Sequence, residues 1–161
     1  MPVKPIIDQV SLDHLQSAVQ NELFASNLYK HVANHMRRLG YFGAQKFFET
    51  EAEHENVHYT ILAGFLDEVG SVAVVPAIPA ITEQVGGLHD AIQIAYDTEL
   101  QLLKDYTRAY EQSDVVTKQF LLQFIEIQRK AVGEFGDLTA RLEICGTDKA
   151  ALLKFDTELG Q

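Results

Sequence analysis

Apolar side chains recur every three or four residues along most of the chain, the period of helices that bury one face. Turn residues divide this pattern. Ser11 reads as the cap of a first helix, 11–39, which stops at Gly40, where a left-handed residue costs least. A second helix, 43–69, stops at Gly70, and a third, 88–112, lies between Gly86-Gly87 and Ser113-Asp114. A fourth, 114–145, ends before Gly146. Thr147-Asp148 offers a cap for a short fifth helix, 148–159, carrying Leu152, Leu153, Phe155 and Leu159. The expected fold class is all-α, a four-helix bundle with one extra helix, in one domain over 1–161.

The segment 71–87 breaks the pattern. It is rich in Val, Ile and Pro, and in isolation could be taken for an edge strand. Its length suggests a crossover. At about 1.5 Å per residue the second helix is about 40 Å long, whereas this linker can stretch to about 55 Å at roughly 3.3 Å per residue. It can therefore run the length of the bundle, making two antiparallel hairpins from helices one and two and helices three and four. Its apolar residues would then need cover, which a neighbouring subunit could supply.

Charge narrows the functional classes. Thirteen Lys and Arg against 23 Asp and Glu give a net charge of −10, which repels phosphate backbones and suits a cationic ligand. Nucleic acid is not an expected partner. The most apolar run, from Val72 to Ile81, is interrupted by Pro76 and Pro79 and is too short to span a membrane. With no apolar leader in residues 1–7 and a single cysteine, Cys145, the chain reads as a reduced, cytoplasmic protein.

The chemistry lies in polar residues set within apolar stripes. With Glu55 at 0° on helix two, Phe48, Glu51, Ala52, His58, Tyr59, Leu62, Leu66 and Val69 fall within about 60° of it at 100° per residue. Buried carboxylates require pairing or a metal, because desolvation costs several kcal/mol per ion. Helix one adds Glu22 to its stripe, seven residues before Tyr29. Helix three repeats the spacing with Glu99 and Tyr106. The fourth stripe, of Phe120, Leu121, Phe124, Val132, Phe135 and Leu142, is broken by Gln128.

Glutamates from two helices and Glu-x-x-His from the others are the ligand set of carboxylate-bridged di-iron sites in bundle cores. Oxygen-rich ligation with one imidazole suits iron or manganese rather than structural zinc. Here the second half is reduced. Positions equivalent to Glu55-x-x-His58 on the fourth helix are Gln128 and Ala131, so one metal would keep Glu22, Glu55 and His58, and the other Glu99, the bridging Glu55 and indirect help from Gln128.

These residues resemble ferritin over nearly the whole chain. Glu22-Leu23-x-Ala25-Ser26-x-x-Tyr29 is similar to the ferritin first-helix motif, Glu55-x-x-His58 to that of its second helix, and Glu99 to its third-helix ligand. Gln128-x-Lys130-Ala131-x-x-Glu134-x-Gly136-Asp137 is most similar to the fourth helix of animal H-type chains, which carry the same Gln and Ala at the ferroxidase centre. Bacterioferritin would place Glu-x-x-His there and a haem-binding Met after the bridging Glu, where this chain has Asn56, so no haem is expected. H-type chains also carry inner-surface glutamates where this sequence has His54, Val57 and Thr60, and an acidic threefold channel where it has Lys118 and Leu121.

The resemblance implies a homo-oligomeric shell, of 24 subunits, that oxidises Fe(II) with dioxygen and stores ferric mineral. Glu22, Glu55, His58, Glu99 and Gln128 would form the di-iron centre, with Gln128 orienting dioxygen or a water. Tyr29 and Tyr106 are either redox-active or hydrogen-bonded to a carboxylate, and the resemblance favours a catalytic role for Tyr29. Glu51 is a third iron site, a transit ligand, or simply a solvated or paired acid. His31 and His35, an i,i+4 pair, lie on the far side of the first helix from Glu22 and read as solvated; His14 and His89 read as surface residues and Cys145 as buried. Two alternatives belong to other classes. A DNA-protecting starvation-type ferritin would place its iron site between subunits and lack the fifth helix, and a di-iron oxygenase would need an apolar substrate pocket beside the metals.

Overall fold

The computed structural model describes residues 3–161. Among them are five α-helices, α1 (Gln9–Leu39), α2 (Phe42–Glu68), α3 (Leu88–Gln112), α4 (Val115–Cys145) and α5 (Lys149–Leu159), and no strand. No helix among the described residues is long and apolar enough to cross a membrane. Cys145 is partly exposed rather than buried, because α4 ends there.

The expected first helix begins two residues early. Its cap is Asp8, whose carboxylate accepts a hydrogen bond from Ser11 N at 2.8 Å. Ser11 lies inside the first turn, and its Oγ accepts from Asp114 N at 2.9 Å, tying α1 to the start of α4. Aspartate caps as well as serine, and one turn further back it leaves Ser11 free to join two helices. Asp114 and Asp148 in turn cap α4 and α5, accepting from Thr117 N and Ala151 N.

α1 packs along α2 and α3 along α4, with α1 also against α3, while α5 lies against α2 and α4. The segment 71–87 is extended and forms no sheet. Its start is held by Gln16, whose side chain accepts from Val74 N at 3.0 Å and donates to Val74 O; its far end is held by His31, whose Nε2 is 3.0 Å from Glu83 O. Gln16 and His31 are 15 residues apart on α1, so this stretch follows that helix for about 22 Å. Val72, Val74 and Val75 point outwards and are exposed.

Two apolar clusters fill the bundle. One, around Tyr29, Phe48, Ile92 and Phe135, is sealed by Leu152 and Phe155 of α5. The other, around Leu15, Leu62, Tyr106 and Phe124, fills the opposite end. Between them lies a layer of polar side chains.

Candidate metal centre

Each long helix brings one polar group to that layer because its position falls in the buried stripe. Glu22 and Gln128 are 0% exposed, and Glu55 and Glu99 are 2% exposed. His58, one turn after Glu55 on α2, is mostly buried and directs Nδ1 to both neighbouring carboxylates, 3.1 Å from Glu55 Oε2 and 3.4 Å from Glu22 Oε2.

Two tyrosines brace the glutamates crosswise. Tyr29 of α1 donates to Glu99 Oε1 of α3 at 2.6 Å, and Tyr106 of α3 donates to Glu22 Oε1 of α1. The two seven-residue Glu-to-Tyr spacings thus pair with each other across the core rather than within each helix. Gln128 completes the brace, its Nε2 donating to Glu99 Oε2 at 2.6 Å. The amide orientation is fixed by these acceptors, since the opposite one would set two oxygens together.

Two side-chain groups can each converge on one cation. Glu22, Glu55 and His58 offer ligand atoms within 4.8 Å of one another, and so do Glu51, Glu55 and Glu99. Glu55 belongs to both. Beside the first group Glu22 Oε2 has only the 3.4 Å contact to His58 Nδ1, and beside the second Gln128 Oε1 has no hydrogen-bond partner. Buried acceptors rarely remain unpaired, and here each lies where a cation or its bound water would satisfy it.

The electrostatics have the same sign. Burial drives Glu55 up to about 10, helped by Glu22, against the opposing pull of His58. Burial would lower His58, but Glu22 and Glu55 raise it to about 10. Burial also pushes Glu22 up, yet Glu55, His58 and Tyr106 outweigh it and hold this carboxyl below its ordinary value. Glu99 is raised, by burial above all, with Tyr29 and Gln128 opposing. Both tyrosines lie well above the usual phenol range, first through burial and then through the facing glutamates, Glu99 for Tyr29 and Glu22 for Tyr106. Without a cation the carboxylates of this layer cannot all be ionised, the condition that favours binding one.

A cavity of about 250 Å³ opens from this layer, lined by residues that include Glu51, His54, Glu55, Glu99, Gln128 and Glu134. Every member of the two groups stood out in the sequence, where Glu51 was left open between a third iron site, a transit ligand and a solvated or paired acid; the structure sets it within reach of Glu55 and Glu99. The remaining histidines tie elements together. His31 and His35 stack edge to face at 4.5 Å while His31 holds the linker. His14 pairs with Gln112 at 2.8 Å, and His89 with Leu142 O at 3.2 Å. Asn56 accepts from Ser26 Oγ at 3.1 Å. His54 and Val57 face solvent.

A helical bundle with a buried layer of carboxylates and one imidazole defines a class of metal-handling proteins. Residues 12–145 match the ferritin-like domain model, and the chain belongs to the ferritin family. It is 28% identical over 162 residues to a probable bacterial non-heme ferritin-like protein of Haemophilus influenzae, covering 98% of this chain and 93% of that one. It is 29% identical to a ferritin of Pacifastacus leniusculus, covering 98% and 87%. Among solved structures, an open pore ferritin from the hyperthermophilic archaeon Archaeoglobus fulgidus shares the fold with a TM-score of 0.92 at 22% identity, covering 95% of this chain and 97% of that one.

Proposed function

We propose that this protein is an iron-storage ferritin whose subunit oxidises Fe(II) with dioxygen at a di-iron centre inside the bundle. The observation that carries this reading is Glu55, one carboxylate shared by two adjacent cation-competent groups. Glu22, Glu55 and His58 hold the first iron, and Glu55 with Glu99 hold the second. Carboxylate ligands favour Fe(III) over Fe(II), and two irons held by one bridging group give one electron each, so dioxygen receives a pair.

The braces divide the remaining work. Tyr29 and Tyr106 hold Glu99 and Glu22 against rotation, and Tyr29 thereby touches a ligand of the second metal. Gln128 Nε2 is occupied by Glu99, so its free atom is Oε1, an acceptor. Dioxygen has no proton to donate, and Gln128 therefore orients a bound water rather than dioxygen itself.

The adjoining cavity is lined largely by charged and amide side chains, including Lys130 and Glu134, which does not suit an apolar organic substrate. Both ligand groups come from one subunit, and α5 is present, unlike the starvation-type arrangement. The exposed valines of the linker support association with further copies, and the reading places 24 in a closed shell in the cytoplasm. Size-exclusion chromatography with light scattering on protein loaded aerobically with Fe(II) tests this. The expected result is a shell-sized particle that retains hundreds to thousands of irons, on the order of 10² or more per particle; a monomer that releases its iron contradicts storage.

A further inference from the structure

With Gln128 and Ala131 standing where a second Glu-x-x-His would lie on α4, the second metal position is short of ligands, and Ala131 lines the same cavity as Glu51, Glu99 and Gln128. Glu51 stands one helical turn before Glu55 on α2, on the same face. Its carboxylate converges with those of Glu55 and Glu99 within 4.8 Å. It is partly buried, and its one ion-pair partner is the exposed His54, at 3.5 Å. A separate feature marks the position as unfinished. Gln128 Oε1, with Gln128 fully buried and lining the same cavity, has no partner.

We infer that Glu51 is a ligand of the second iron, supplying from α2 the side chain that α4 lacks at position 131. This rests on the di-iron reading above and goes beyond it in the origin of the ligand. α2 alone then supplies three metal-binding side chains, Glu51, Glu55 and His58, on successive turns of one face. Glu51 is only partly buried and shares the cavity lining with the exposed Glu134, so a cation that Glu51 holds has a route towards solvent. A weaker, more accessible second position suits an ion that must leave after oxidation.

Anaerobic equilibrium dialysis against Co(II), which cannot be turned over, tests the assignment without using oxidation as readout. The intact shell is expected to bind two Co(II) per subunit, the second more weakly than the first. Glu51→Gln, nearly isosteric, should keep one and weaken the other about tenfold or more; retention of the first shows that the variant is folded. Glu51→Gln combined with Ala131→Glu should restore the second, because the new carboxylate reaches the same cation from α4. Two unchanged sites in Glu51→Gln would overturn the inference while leaving the di-iron reading intact. Loss of neither site in Glu22→Gln or Glu55→Gln would sink the di-iron reading, and this inference with it.

Discussion

At the scale of single residues, metal binding is coupled to the loss of protons. Burial raises Glu55 to about 10, and the facing carboxylates of Glu22 and Glu55 raise His58 to about 10, so at neutral pH one keeps its carboxyl proton and the other is an imidazolium. Both are then unable to bind a metal until they lose a proton. Raised values mean protons bound at pH 7, so metal binding must release them and must strengthen as pH rises through the neutral range. Zn(II) calorimetry in buffers of different ionisation enthalpy should show at least one proton released per first-site metal; a heat independent of buffer would contradict this. The buried acids themselves were legible in the sequence, since an acid in an apolar stripe stands out at 100° per residue. The pairings of Tyr29 with Glu99 and of Tyr106 with Glu22 were not, because periodicity within a helix carries nothing about which helix faces it across the core. For the same reason Glu51 could be placed on the inner face of α2 but not assigned to a metal.

At the scale of elements, α5 has a role that its own sequence hides. α2 begins at Tyr41 without a side-chain cap of its own. Asp156, buried on α5, supplies one from more than a hundred residues away, accepting from Gly43 N at 3.1 Å and Ala44 N at 2.6 Å. A carboxylate there also meets the positive end of the α2 dipole. The approach is so close that a Cβ on Gly43 would stand 1.9 Å from Asp156 O, which explains the glycine. Asp156→Ala should lower stability by about 1–2 kcal/mol and speed amide exchange in the first turn of α2. An unchanged denaturation midpoint with unchanged exchange would show that the contact is incidental. Helix ends set by local glycines, at Gly40 and Gly70, were legible, and both adopt the left-handed backbone expected. Starts were less so, for Asp8 and Ser11 are both competent caps and only the tertiary bond from Asp114 N to Ser11 decides between them.

At the scale of the whole molecule, the linker and the polar layer explain each other's place. The linker follows α1, allowing α3 to enter the bundle from the end where α2 began, so that Glu55 and Glu99 meet at mid-length. Apolar clusters above and below lower the polarity around that layer, which strengthens each interaction within it and makes unpaired charge there costly. The crossover was legible from its length; what covers its valines was not, since one chain does not contain its neighbours. In the proposed reaction, iron is oxidised at a pair of positions joined by Glu55. Stopped-flow measurement of dioxygen consumption after Fe(II) addition tests it most directly, comparing the parent with Glu55→Ala. Loss of the bridge should abolish most of the fast phase, a fall of about a hundredfold, while the shell remains assembled; a variant oxidising iron as fast as the parent would contradict the account.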